Sequence, residues 1–142
     1  MITFRKFTES DWFEIDDPVS VYSDKVNDII KEFFGLLKNG VNFTMVENGK
    51  VICCGGVVYV DENNAESWIR LSIRAAQKPL AILKTVKVGF DMITRSLGTI
   101  NVSSHVLEGF EAGERLAGYL GFKKTEDFML INDKKYNKYA KI

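Results

Sequence analysis

Two runs of β-branched and aromatic residues joined by an Asn-Gly pair constrain the fold of this chain most. The runs cover residues 41–46 and 50–60, and Glu47-Asn48-Gly49 separates them. An Asn-Gly pair favours the left-handed backbone of a two-residue hairpin turn, whose twist matches that of the flanking strands. The sequence therefore predicts an antiparallel hairpin, around which the other segments must build a sheet.

Strand and helix patterns follow one another along the rest of the chain. The other predicted strands are residues 2–7, 66–73, 99–106 and a final pair around 128–131 and 136–139. The predicted helices are a short one after the cap-type residues 8–11, then 24–37, 79–97 and 112–120. Residues 74–78 are predicted to be a polar connector. This order predicts one α/β domain over residues 1–142, with a mixed, mostly antiparallel sheet and helices on both faces.

Charge and hydropathy argue against two classes of partner. The chain has 19 basic and 19 acidic residues, so it lacks the basic surplus with which proteins bind nucleic-acid phosphates. No apolar run approaches the roughly 20 residues that cross a bilayer. The first residues are interrupted by Arg5 and Lys6, unlike a secretory signal. We therefore expect a cytoplasmic protein without nucleic-acid or membrane partners.

The distribution of cysteine and histidine argues against a metal site. Cys53 and Cys54 are adjacent in a predicted strand, so their side chains point to opposite faces of the sheet. His105 is the single histidine, and no zinc-ligand spacing exists in the sequence. We expect two reduced thiols that pack as small apolar side chains.

Four segments resemble the GNAT superfamily of acetyl-CoA-dependent N-acetyltransferases. They are the opening strand and acidic turn (residues 2–12), the second hairpin (49–56), the fourth strand with the cofactor-binding helix (66–97), and Leu-Ala-Gly-Tyr-Leu-Gly-Phe-Lys at 116–123. The resemblance spans nearly the whole chain in element order. It implies a GNAT-like domain that transfers the acetyl group of acetyl-CoA to an amine acceptor.

The resemblance places coenzyme A against the start of the helix at residues 79–97. Exposed N–H groups and the positive dipole end of a helix suit a pyrophosphate. The predicted cofactor-binding residues are Ser72, Ile73, Arg74, Ala76, Gln77 and Lys78. Among them, Ala76, Gln77 and Lys78 would offer free amides, and Arg74 and Lys78 would add positive charge. Amides around Ser72 and Ile73 would polarise the thioester carbonyl. The alternative is a plain strand-to-helix connection with solvated basic residues.

Acyl transfer to an amine also needs a general base, for which the sequence offers three candidates. His105 ends the predicted fifth strand, Glu66 begins the fourth, and Glu108 follows in the next loop. Any of the three could act directly or through water. The alternatives are a hydrogen-bonded structural role for His105 and solvated charges for the two glutamates.

Two features of the usual GNAT pattern are missing from this chain. The pyrophosphate segment contains no glycine, although glycine permits the close approach of backbone to phosphate. Ala117 stands four residues before Gly121, where the family commonly has a tyrosine acid. Tyr119 is two residues further on, which turns it about 200° around a helix, so we expect it to pack or to lie at the surface.

These replacements resemble GNAT-like proteins, including some encoded by phages and prophages, that keep the scaffold without evident catalytic residues. A catalytically degenerate binding or structural protein, such as a virion component or an inhibitor of a host protein, is therefore the alternative function. Since the final strands in such folds often pair between subunits, a homodimer is also expected.

Overall fold

Seven strands form one mostly antiparallel sheet in the computed structural model. The model describes residues 2–15, 26–77, 79–98, 100–131 and 133–141, with the backbone alone for residues 26–30 and 79–81. In chain order the strands are β1 (Ile2–Lys6), β2 (Gly40–Glu47), β3 (Lys50–Tyr59), β4 (Asn64–Leu71), β5 (Asn101–Leu107), β6 (Phe122–Ile131) and β7 (Lys134–Lys141). Their spatial order is β1-β2-β3-β4-β5-β7-β6.

Five helices among the described residues cover the two faces of this sheet. They are α1 (Glu9–Glu14), α2 (Val26–Leu37), α3 (Ile73–Gln77), α4 (Pro79–Leu97) and α5 (Glu111–Tyr119). Apolar residues of α1 and α2 pack together with Val58 and Trp68 on one face. On the other face, residues of α3, α4 and α5 join the largest core cluster. The predicted α/β class, with helices on both faces of a mostly antiparallel sheet, is therefore confirmed.

The hairpin between β2 and β3 has the predicted turn. Asn48 and Gly49 both have positive φ, of 52° and 77°, as a two-residue turn of this type requires. Gly98 also has a positive φ, of 76°, and it ends α4 at the predicted place. Short-range backbone preferences therefore set these boundaries.

The predicted polar connector at residues 74–78 is wrong for residues 74–77, which belong to α3. Ser72 provides the reason, because it caps this short helix. The amide of Ala75 donates to Ser72 Oγ at 3.1 Å, and the amide of Ala76 donates to the Ser72 carbonyl at 3.0 Å. Lys78 lies outside the described residues.

The parallel pairing of β4 with β5 is short. It consists of Asn64 with Asn101, Ala65 with Val102, and Glu66 with Ser103. Beyond Glu66, β4 continues to Leu71 along β3 alone, while β5 continues along β7. The two central strands therefore separate, and we call the resulting gap the β4–β5 opening.

Both cysteines are buried and reduced. Cys53 belongs to the core cluster beneath α4, whereas Cys54 packs with Ile15 and Val51 on the opposite face. Burial raises the pKa of the Cys53 thiol well above its ordinary value. Within the described residues, no three His, Cys, Asp or Glu side chains gather as a metal site would need, and no helix is long and apolar enough to span a bilayer.

Asp11 ties β1, α1 and β2 together. Its carboxylate is almost fully buried, with 1% of the residue exposed. It accepts hydrogen bonds from Nη1 and Nη2 of Arg5, each at 2.7 Å, from the Thr8 amide at 2.9 Å and from the Thr44 hydroxyl at 2.7 Å. Burial alone would raise the pKa of Asp11, but these hydrogen bonds outweigh it and lower the pKa from 3.8 to about 2. The folded chain therefore favours the ionised carboxylate.

Replacing Asp11 by Asn should lower the free energy of unfolding by about 2–3 kcal/mol at pH 7, because several charge-assisted hydrogen bonds are lost. Since folding lowers this pKa, the contribution is present above pH 3.8 and disappears as the pH falls toward about 2. Urea unfolding of wild type and Asp11→Asn across this range measures both effects. Glu9→Gln, an exposed change in the same helix, should stay within about 0.5 kcal/mol of wild type. Equal losses in the two variants would contradict this role of Asp11.

Candidate active site

A cavity of about 640 Å³ occupies the β4–β5 opening. Trp12, Phe33 and Trp68 line it on the face of the sheet covered by α1 and α2. Phe90 and Ala117 line it on the face covered by α4 and α5. The cavity thus reaches both faces of the sheet, and its volume lies in the range of small-molecule sites.

His105 and Glu66 meet on the α1/α2 side of the cavity. His105 Nδ1 lies 2.5 Å from Glu66 Oε1, and the two side chains are 21% and 35% exposed. Glu66 forms the last parallel pair with Ser103, and His105 lies two residues beyond Ser103 on the same face of β5. With a proton on Nδ1 the ring donates to Glu66, so Nε2 keeps its lone pair for a ligand.

Glu108, the third predicted base, lies apart from this pair. It is in the turn after β5, with its side chain 52% exposed and 3.8 Å from the ammonium of Lys135. It does not belong to the cavity lining. The structure therefore brings together two of the three predicted catalytic residues.

The backbone donors that face the β4–β5 opening differ from those predicted. The Ser72 amide donates to the Ile52 carbonyl at 3.0 Å, on the β3 side of β4. Backbone N–H directions alternate along a strand, so Ile69 and Leu71 direct their amides to the other side, toward β5. The predicted role of a Ser72 amide in this opening is therefore wrong, since the opening is faced by the amides of Ile69 and Leu71.

The predicted phosphate-binding residues lie in and around α3. The Ala76 amide is used inside this helix, so the prediction that it is free is wrong. Ile73 and Gln77 are exposed. Arg74 is also exposed, and its guanidinium forms an ion pair with the carboxylate of Glu47 at the end of β2. Arg74 therefore lies near the hairpin turn, and its charge is already paired with a carboxylate.

The hydrogen bonds that hold the Trp68 side chain were not predicted from the sequence. The Trp68 indole donates to Asn42 Oδ1 at 2.8 Å, while Asn42 Nδ2 donates to the Leu37 carbonyl at 2.7 Å. Gly56 pairs with both Asn42 and Trp68, so it lies between them on β3. Asn42 can span this central strand because Gly56 has no side chain. The Gly55-Gly56 pair within an apolar run was the available signal.

The position expected for a tyrosine acid is small and buried. Ala117 is 5% exposed and lines the cavity, whereas Tyr119 is 40% exposed and does not. The expectation that Tyr119 packs or lies at the surface is confirmed, since it lies at the surface. Tyr136 of β7 is a buried phenol that lines the cavity, and it is not among the candidates predicted from the sequence.

The fold is that of the GNAT acetyltransferases. An acetyltransferase from Streptococcus agalactiae 2603 superposes with a TM-score of 0.72 at 13% identity, covering 99% of this chain and 98% of that chain. A GNAT family acetyltransferase from Elizabethkingia anophelis, solved with acetyl-CoA bound, gives 0.65 at 13% identity over 99% and 97%. An N-acetyltransferase from Staphylococcus aureus Mu50 gives 0.70 at 13% identity over 99% and 97%.

No sequence-family profile and no curated protein sequence matches this chain. At 13% identity the likeness to these structures is one of fold. The resemblance stated from the sequence is therefore confirmed at the level of architecture.

Replacing Gly56 by Ala should lower the free energy of unfolding by about 2–4 kcal/mol, through overpacking and loss of the Trp68 hydrogen bond. A Cβ there would lie 2.4 Å from both Asn42 Oδ1 and the Val41 carbonyl oxygen. Thermal unfolding and tryptophan emission measure the two effects, and we expect a red shift of the emission.

Gly118→Ala is the matched control for this substitution. Its Cβ would meet no atom within 4 Å in helix α5, so the variant should gain about 0.5–1 kcal/mol. A Gly56→Ala protein with wild-type stability and emission would contradict the spacer role of Gly56.

Proposed function

We propose that this protein is an N-acetyltransferase that transfers the acetyl group of acetyl-CoA to a primary amine. The observation that carries the proposal is the His105–Glu66 pair in the β4–β5 opening of a GNAT fold. A base held by a carboxylate, in a cavity open toward both faces of the sheet, is what amine acylation needs.

The chain's own residues fit an acyl-CoA in this opening. The amides of Ile69 and Leu71 face it, and they suit the carbonyl oxygen of a thioester. The small side chain of Ala117 leaves room on the α4/α5 side. When bound, acetyl-CoA supplies an acyl carbon to which the amine adds, so that a C–N bond forms and the C–S bond breaks.

His105 takes the proton that the amine must lose. Its Nε2 carries the lone pair in the tautomer that donates from Nδ1 to Glu66. Glu66 acts as a positioning residue, because it fixes this tautomer and stabilises the imidazolium that forms. The same division of labour between base and carboxylate is known from hydrolytic triads.

The absence of a tyrosine at position 117 does not prevent the reaction. A thiol has an ordinary pKa of about 8.5, so a thiolate is a good leaving group even without an enzyme acid. Water at the cavity can return the proton to sulfur. We therefore assign no acid among the residues around Ala117.

Arg74 is the side chain proposed to meet the pyrophosphate. Its guanidinium is paired with Glu47, so a phosphate has to compete with that carboxylate. The pair is exposed, and exposed ion pairs contribute only about 0.2–1 kcal/mol. Phosphate binding by Ile73, Gln77 and Lys78 stays a prediction.

If coenzyme A does not bind, the alternative function applies: a catalytically degenerate binding or structural protein, such as a virion component or an inhibitor of a host protein.

The edge strand β6 exposes Phe128, Met129 and Leu130, which supports the expected pairing of two copies through the final strands. The cytoplasmic location and the lack of a nucleic-acid partner stay predictions from composition.

His105→Gln should lower kcat for acetyl transfer by about 10²–10⁴-fold, the usual contribution of a general base. Glu66→Gln should lower it by about 10–100-fold, because the ring loses its orienting carboxylate. Both variants should bind coenzyme A like wild type, since neither side chain is proposed to touch it. The measurement is thiol release with a panel of amines, together with calorimetry.

Glu108→Gln separates the three bases predicted from the sequence. It removes a carboxylate outside the cavity, so its kcat should equal that of wild type. A large loss of kcat in Glu108→Gln, with wild-type rates in His105→Gln, would contradict the proposed base.

Coenzyme A binding should respond in opposite directions to changes in the Arg74–Glu47 pair. Glu47→Gln should tighten binding by about 1.5- to 5-fold, because the phosphate no longer competes with a carboxylate. Arg74→Ala should weaken it, because a positive charge is lost. Isothermal titration with coenzyme A and acetyl-CoA measures both. If millimolar coenzyme A and acetyl-CoA give neither a heat of binding nor a shift in the unfolding temperature, the proposed cofactor site is contradicted. The catalytically degenerate binding protein is then the remaining function.

A further inference from the structure

We infer that the acceptor is a small primary amine with an aromatic or bulky apolar body and a single positive charge. This inference rests on the proposed function, because it concerns the α1/α2 side of the same cavity.

An aromatic wall forms this side of the cavity. Its members are Trp12 of α1, Phe33 of α2 and Trp68 of β4. Their ring centroids are 5.1 Å apart for Phe33 and Trp68, 5.2 Å for Trp12 and Phe33, and 6.0 Å for the two tryptophans. Such a wall contributes to binding when a ligand buries apolar surface against it.

The wall is held rigidly. Asn42 fixes the Trp68 indole by a 2.8 Å hydrogen bond, and Phe34 packs behind Trp12 with ring centroids 6.0 Å apart. A rigid apolar surface selects ligands by shape, because it does not collapse onto a small one. A short amine without a large apolar group would therefore leave the aromatic wall uncovered.

The charges around the cavity suit one cation. Among the lining residues that the structure describes, the ionisable carboxylate is that of Glu66, and it holds His105. The amine of an acceptor is therefore drawn to the end of the cavity where its proton must be removed. A polyamine would need further carboxylates for its other charges.

The aromatic wall does not replace those carboxylates for a second ammonium. Aromatic faces can bind cations, but the guanidinium of Arg70 already lies over the Trp12 ring, 4.2 Å from its centroid. A second cation at this wall would meet the positive charge of Arg70. The geometry therefore favours an uncharged body next to the wall.

The test uses the tryptophan fluorescence of the whole protein, since both tryptophans of the chain belong to the wall. The probes are 2-phenylethylamine, ethylamine and spermidine, each titrated with and without coenzyme A. We expect 2-phenylethylamine to change the emission and to bind at least about 10-fold more tightly than the other two, because burial of its ring adds to affinity. With acetyl-CoA, kcat/KM from thiol release should follow the same order.

Phe33→Leu tests the wall itself, and Phe13→Leu is its matched control. Phe13 is 66% exposed on α1 and does not line the cavity. Phe33→Leu should weaken 2-phenylethylamine binding about 3-fold or more and raise KM rather than lower kcat, whereas Phe13→Leu should leave both unchanged.

Spermidine or ethylamine binding as tightly as 2-phenylethylamine, or no emission change with 2-phenylethylamine, would overturn the inference. Acetyl transfer that proceeds to those other amines would show that the proposed function holds while the acceptor class is wrong. Emission changes with 2-phenylethylamine but no coenzyme A binding would instead contradict the proposed function, and with it the role of this amine as an acceptor, while the aromatic wall would remain a binding surface for such amines.

Discussion

The site depends on the early end of the pairing between β4 and β5. After Glu66 and Ser103 the two strands have no further paired residues, and the amides of Ile69 and Leu71 face the gap. A buried amide without a hydrogen-bond partner costs about 1–3 kcal/mol. Within the described residues β5 supplies no strand pairing for them, so the opening favours water or a ligand with an acceptor atom. The cavity, the His105–Glu66 pair and the proposed acyl site all follow from this separation.

The two faces of the sheet keep the opening from closing. On one face α1 and α2 pack their aromatic rings against Trp68, which Asn42 holds across Gly56. On the other face α4 and α5 contribute Val86, Phe90 and Leu116 to the main core. Closing β4 onto β5 would have to displace side chains that are packed on both sides. The core thus stabilises a gap at the centre of the sheet.

Local chemistry made part of this structure predictable. Asn48-Gly49 specified its turn, and Pro79 and Gly98 marked the two ends of α4. α3 was missed because its start depends on the Ser72 cap, a weak signal beside alanines and a proline. The register of β4 on β3 was also beyond sequence reasoning, and it decides that Ile69 and Leu71 rather than Ser72 face the opening. Glu66 and His105 are separated by 39 residues, so their contact required the topology that places β4 beside β5.

We propose that an acyl-CoA binds in the β4–β5 opening, against the β4 amides that point away from β3. Backbone amide NMR of the protein titrated with coenzyme A and acetyl-CoA is the test of this binding mode. We expect the Ile69 and Leu71 resonances to shift most along β4, while Trp68 and Arg70, whose amides face β3, shift little. Shifts confined to β6, or equal shifts along the whole of β4, would contradict the claim.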